Sequence, residues 1–191
     1  MPVLTPTVID TARLRLRWIT AADAAAQFSL FGDPVLRRYG GAAAWTRLEQ
    51  AEESVAKALQ AYEDGASLLF AITLPETGEV IGNTRLYDFH DQNRRCDIGY
   101  ILAHAHQGKG YMFEALEATL QHAFSALDLN RIEADVDPRN HASYKVLERL
   151  GFRKEGFMPE RWFVNGEWCD TINYGLLRRY WEHARRGDHG E

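Results

Sequence analysis

Six consecutive residues, Gln107-Gly108-Lys109-Gly110-Tyr111-Met112, are of a kind that can hold an anion. Gly108 and Gly110 carry no side chain, so the main-chain N–H groups there can come close to a phosphate. Behind them Phe113, Leu116, Leu120, Phe124 and Leu127 recur at helical spacing, so the six residues open a helix. A helix N-terminus leaves N–H groups without partners and concentrates positive potential, which makes an anion its natural guest. Lys109 adds a positive charge at the rim. A glycine-rich turn that merely joins a strand to a helix is the alternative reading of the same residues. Other phosphate loops fit less well. A P-loop needs a glycine where Ala103 stands and a hydroxyl residue where Gly110 stands. The dinucleotide fingerprint needs a glycine at Phe113 and a parallel strand–helix–strand setting, and the surrounding pattern does not suggest one. His104 and His106 suit a metal by spacing, but no further ligands cluster with them, and no metal is expected.

The elements around the loop follow from periodicity. Leu14, Leu16 and Trp18 alternate with arginines, the mark of a half-exposed strand. Thr20, with Asp23 three residues on, starts an alanine-rich helix that runs to about Phe31. Thr46 and Glu49 predict a capping box for a second helix over roughly 47–64, with Gly65 as its stop. Three strand-like runs follow, Ser67–Leu74, Val80–Phe89 and Arg94–Leu102, with hairpin-length connections that predict an antiparallel meander. After the long helix come a strand over Arg131–Asp137, a short helix over 142–150 ended by Gly151, and strands near Phe152–Gly156 and Thr171–Leu177. The class is mixed α/β. The whole chain is expected to form one domain with a core over about 11–180 and a polar tail from Arg185.

Bulk properties exclude several functions. The chain has 191 residues, 46% of them hydrophobic and 26% charged, enough to bury a core without staples. Lys+Arg number 22 against Asp+Glu 27, a net charge of -5 that gives no support to nucleic-acid binding. Cys96 and Cys169 lie far apart and read as free thiols of a reducing compartment. The start, Met1 to Pro6, lacks the basic and apolar regions of a signal peptide, and no apolar run is long enough to span a bilayer. A cytoplasmic location is the expectation, with no membrane partner.

Two stretches resemble the GNAT superfamily of N-acetyltransferases. Ile98-Gly99-Tyr100-Ile101-Leu102 followed by Gln107 to Met112 is similar to its acetyl-CoA motif, Q/R-x-x-G-x-G/A. Asn140-His141-Ala142-Ser143 and Leu147 to Phe152 resemble its second signature, N-x-x-S ending in L-G-F. Lys154 to Gly156 and Asn165 to Asp170 look like the RimJ/RimL type, the N-terminal acetyltransferases of ribosomal proteins. The resemblance covers the chain from Thr11 to about Leu177 and implies a mostly antiparallel sheet of about seven strands flanked by about four helices. Met112 stands where glycine or alanine is usual, and Leu147 stands where many members have a tyrosine acid.

The resemblance also implies roles. The backbone of Tyr100, Ile101 and Leu102 would pair with the pantetheine arm of acetyl-CoA like a neighbouring strand. The N–H groups from Gly108 through Lys109, Gly110, Tyr111 and Met112 to Phe113 would bind the pyrophosphate, and Asn140 would reach the thioester end. The amine attacking the thioester must first lose a proton, for which Asp135 and Glu160 are the candidate bases. A strand N–H near Leu102 would stabilise the oxyanion. Ser143, with Tyr144 as the alternative, would return a proton to the departing thiolate. Each of these has a plainer reading, as helix cap, packing residue or surface carboxylate. Trp162, Phe163 and Trp168 are candidates for an acceptor pocket or, more simply, hairpin packing. The acceptor is expected to be a protein N-terminus, such as the alanine or serine of a ribosomal protein. The alternatives are a small amine, such as an antibiotic or polyamine, and a non-catalytic acyl-CoA sensor. Monomer and homodimer both remain open.

Overall fold

In a computed structural model, which describes residues 4–186, eight strands form one sheet in the order β1-β2-β3-β4-β5-β6-β8-β7. The strands are β1 (Val8–Asp10), β2 (Arg15–Trp18), β3 (Ser67–Thr73), β4 (Val80–His90), β5 (Arg95–Leu102), β6 (Arg131–Val136), β7 (Arg153–Val164) and β8 (Glu167–Leu177). The helices are α1 (Ala24–Phe31), α2 (Leu48–Glu63), α3 (Tyr111–Ser125), α4 (His141–Arg149) and α5 (Arg178–Arg185). The predicted meander is present: β2 through β5 pair antiparallel in chain order. Two elements had no signal in the sequence. β1 is three residues long and depends on pairing with β2, and α5 begins where the tail was expected to fray shortly afterwards. Trp181 anchors α5 at 3% exposure against Phe124 of α3, which local periodicity does not reveal. The predicted polar tail beyond residue 186 lies outside the described residues.

Two expectations need correction. The cap of α2 is made by Gln50, not Glu49: its Oε1 accepts from the backbone N–H of Thr46 at 2.8 Å and of Arg47 at 3.1 Å. The helix starts one residue later than the Thr46–Glu49 pattern requires. A parallel strand–helix–strand unit is also present, because β5 pairs parallel with β6 across the crossover helix α3. The hairpins before it hid this, since parallel pairing joins residues far apart in sequence. The last hairpin, β7–β8, is longer than its apolar segments suggested, with Asn165 (φ 53°) and Gly166 (φ 81°) at its turn.

Sheet pairing sorts the side chains by face. Leu16, Phe70, Ile72, Thr84, Cys96, Ile98, Tyr100 and Leu102 point toward α3 and α4, where Thr84 meets Thr119 of α3 at 2.9 Å. The other face carries Asn83, Tyr87, Asp97, Glu133 and Asp135, and Asn83 bonds Gln27 of α1 at 2.8 Å. α1 in turn packs on α2. The apolar core fills the α3 side of the sheet, around Leu116, Leu120, Phe124, Leu147 and Ile132, all at 2% exposure or less. The same core includes Val55, Ala58 and Tyr62 of α2, and polar groups occupy β5 and β6 on the face opposite α3.

Candidate active site

β5 and β6 are paired only through Arg95, Cys96 and Asp97. Beyond Asp97 they diverge, since β5 continues on β4 to Leu102 while β6 continues on β8. The result is a slot in the middle of the sheet with one main-chain edge uncovered. Ala103 N–H donates to the Ile81 carbonyl at 2.8 Å, and antiparallel bonding alternates from there. The N–H and C=O of Tyr100 and Leu102 therefore turn to the slot. Those of Ile101 turn to its partner Asn83 on β4. The Leu102 carbonyl accepts from Gln107 Nε2 at 3.0 Å, so Gln107 ties the end of the strand to the loop.

The loop itself is shaped by its glycines. Gly108 (φ 73°) and Gly110 (φ 81°) are both left-handed, a conformation strained for residues with a Cβ. Gly110 is the N-cap of α3, so its bend aims the first N–H groups of that helix, at Tyr111, Met112 and Phe113, outward along the axis. Lys109 is exposed at the bend. Arg13 clamps the loop from the first hairpin. Its Nη1 donates to the Lys109 carbonyl at 2.8 Å, its Nε to Glu114 Oε2 at 2.7 Å, and its guanidinium lies 4.7 Å from the Tyr111 ring centre. Burial pushes the Glu114 carboxyl up, but hydrogen bonds from Thr11 and Arg13 outweigh it and hold Glu114 below the usual carboxylate range. A cleft of about 730 Å³ runs from Gly110 along α3, bordered by Arg13, Phe113 and Arg149.

Asn140 and Ser143 stand over the α3 side of the slot. Asn140 is the N-cap of α4 and its Oδ1 accepts from Ser143 N–H at 3.2 Å. The Ser143 hydroxyl lies 2.7 Å from the phenol oxygen of Tyr100. Sequence reasoning considered only the backbone of Tyr100; nothing in the spacing signalled that its side chain would meet Ser143, 43 residues away. Leu147, one turn further along α4, is fully buried in the core. Tyr144 tilts against His141 at 5.4 Å and packs on the core edge.

The opposite face of the slot is acidic. Asp135 is held by Asn173 Nδ2 at 3.0 Å, and burial together with Glu133 raises its pKa despite Arg161. Asp97 is the last β5 residue paired with β6, and its Oδ1 is shielded from solvent without a hydrogen-bond partner. Burial, then the charges of Glu133, Asp88 and Asp135, push its pKa to about 6. Tyr87 lies beside Asp97 across the strand pair, and burial followed by the Asp97 charge pushes it to about 12. Asp97 has one sequence signal that was passed over: it is an acid inside a strand whose neighbours Cys96 and Ile98 are buried.

A cavity of about 240 Å³ opens on this face, lined by Tyr39, Tyr87, Asp135, Asp137, Trp162 and Asp170 among others. It is assembled from the α1–α2 connection, β4, β6 and the β7–β8 hairpin. Burial works against the Asp137 charge, but Arg139, bonding it at 2.7 Å, holds it below the carboxylate range. Of the predicted residues, Asp135 and Trp162 line this cavity. Glu160 does not: it is exposed, left-handed at φ 49°, and its N–H donates to Asp170 at 2.9 Å. Phe163 (60% exposed) and Trp168 (59%) lie tilted against each other outside it, ring centres 4.9 Å apart. His104 and His106 face Asp33 and Glu79, and among the described residues no cluster of three metal-ligating side chains occurs. No described helix is long and apolar enough to cross a membrane.

Residues 13–153, which hold the splayed parallel pair, the glycine loop and the capped helix α4, match a family model described as an acetyltransferase (GNAT) domain. The chain belongs to the GNAT acetyltransferases. It is 34% identical over 169 residues to p20 of Bacillus licheniformis, an N-acetyltransferase by name, covering 88% of this chain and 95% of that one. It is 33% identical over 129 residues to the [ribosomal protein uS5]-alanine N-acetyltransferase of Escherichia coli, covering 65% and 64% of the two chains. Its fold is that of spermidine N-acetyltransferase from Vibrio cholerae, solved with CoA and spermine, with a TM-score of 0.82, 24% identity, and coverage of 90% and 99%. As a GNAT enzyme it is an N-acetyltransferase that uses acetyl-CoA and an amine acceptor. The sensor alternative drawn from Leu147 is set aside on that ground.

Proposed function

We propose that the enzyme acetylates the N-terminal amino group of a protein. The observation that carries this reading is the rim of the acidic cavity. Trp162 lines it and is 41% exposed, so an aromatic face is open at the mouth. A free amine needs only the carboxylates, whereas an exposed aromatic at the mouth suits the residues that follow a protein N-terminus. The relative that acetylates the uS5 alanine supports a ribosomal protein as the acceptor class. The free buried thiols of Cys96 and Cys169 agree with action in the cytoplasm.

In this reading the pyrophosphate rests on the N–H groups from Gly108 to Phe113, and the pantetheine arm runs along the free edge of Tyr100 and Leu102. The acceptor enters from the carboxylate face. Asp135 takes a proton from the ammonium, directly or through water, and the neutral amine forms a bond to the thioester carbon. The Leu102 N–H faces the oxyanion. The C–S bond then breaks, the nitrogen gives up its remaining extra proton to solvent, and Ser143 passes a proton to sulfur and recovers one from water. Glu160, outside the cavity, takes no part in this chemistry.

A second reading, a small polycationic amine, is favoured by the three aspartates that line the cavity, Asp135, Asp137 and Asp170. Thiol release from acetyl-CoA separates the two. Peptides beginning with alanine or serine should exceed spermidine in kcat/KM by tenfold or more; spermidine ahead of every peptide would transfer the assignment to polyamines.

A further inference from the structure

We infer that Tyr100 is a positioning residue, its phenol holding the Ser143 hydroxyl in the one orientation that presents a hydrogen to the departing sulfur. The inference rests on the reading of Ser143 as proton donor and adds the group that makes it one.

The geometry has three parts. The Tyr100 phenol oxygen is 2.7 Å from Ser143 Oγ and 3.3 Å from the Ser143 carbonyl. The shorter contact is the stronger, and the carbonyl lies inside α4, where the helical ladder already uses it. In this arrangement the phenol hydrogen lies on Oγ, one of the two directions that the 2.7 Å contact allows. A serine hydroxyl has one hydrogen of its own, and once Oγ accepts from Tyr100 that hydrogen must point elsewhere. Ser143 N–H is already bonded to Asn140 Oδ1, so the residue is held at main chain and side chain together.

The second part is position. Tyr100 lies in the stretch of β5 that has left β6, and its main-chain groups face the slot while its side chain reaches α4. The strand that would carry the thioester and the helix that carries Ser143 are thus joined through the Tyr100 phenol. The third part is chemical state. Burial raises the Tyr100 phenol well above its ordinary value, so it stays protonated across the working pH range and remains a donor. No proton leaves it in turnover. Leu147, where many relatives would place a tyrosine acid, is sealed in the core and has no access to the slot. A tyrosine from the sheet acts through a serine on the helix instead.

The test is a double-mutant cycle with Tyr100→Phe and Ser143→Ala, reading kcat and the KM for acetyl-CoA, with active sites counted by CoA titration so that misfolded protein does not enter the rate. Tyr100→Phe keeps the ring and should lower kcat about tenfold with KM unchanged within twofold. Ser143→Ala should lower it further, and the double variant should match Ser143→Ala alone. Equal losses from Tyr100→Phe in both backgrounds, a loss confined to KM, or no loss beside a large Ser143→Ala effect would overturn the role of Tyr100 and leave Ser143 standing. An unchanged Ser143→Ala rate would instead remove Ser143 as donor, and the role of Tyr100 with it.

Discussion

The two ends of the slot are built on different plans. The end proposed for the cofactor uses main chain: the open edge of β5, two left-handed glycines and the mouth of α3, all within residues 98–113. The acceptor end uses side chains drawn from four places between Arg38 and Thr171. Main-chain recognition depends on conformation, which a few neighbouring residues dictate. Side-chain recognition depends on which distant segments the sheet brings together. One end can therefore stay constant across a family while the other is reshaped for each acceptor.

That contrast can be broken most severely at Gly110. Gly110→Asp forces a side chain into a left-handed position and places a carboxylate where the anion belongs, so CoA affinity should fall about 100-fold or more, roughly 3 kcal/mol. Calorimetry on the variant measures it, with circular dichroism to establish that it folds; normal CoA affinity in a folded variant would move the cofactor site elsewhere. On the other end, Trp162→Ala should raise the KM for a peptide acceptor roughly tenfold and leave the KM for acetyl-CoA within twofold. Equal effects on both substrates would mean that the two ends are not independent.

The smallest effect sharpens the electrostatic side. Asp97 titrates at about 6 in the folded protein against about 3.9 when unfolded. The folded state thus binds more protons between those values, and stability falls as pH rises through that window. Asp97→Asn removes this loss. Its Tm should equal that of the wild type near pH 4 and exceed it by a few degrees above pH 7. A constant difference at every pH would show that the carboxylate charge is not what costs stability there.

Much of this arrangement was legible in the residues, and the parts that were not share a cause. Gly108, Gly110 and the period of α3 marked the anion loop because both signals are local. Asp135 was singled out and lines the cavity with Tyr87 and Trp162, while Glu160 was singled out and lies outside it, left-handed on the edge strand. Tyr39, Tyr87 and Asp97 were not singled out at all, because their importance comes from neighbours on other strands. β1 and α5 were missed for the same reason.

The amino-acid sequence alone determined the order of the main elements, the glycine loop at the mouth of α3 and the family. Those depend on side-chain period, glycine conformation and capping, all of which act over a few residues. Only the tertiary structure decided that β5 and β6 part after Asp97, that carboxylates gather on one side of the gap and hydroxyls on the other, and that Tyr100 meets Ser143. Each of these is set by strand pairing between distant segments, where a shift of one residue would carry every side chain to the opposite face.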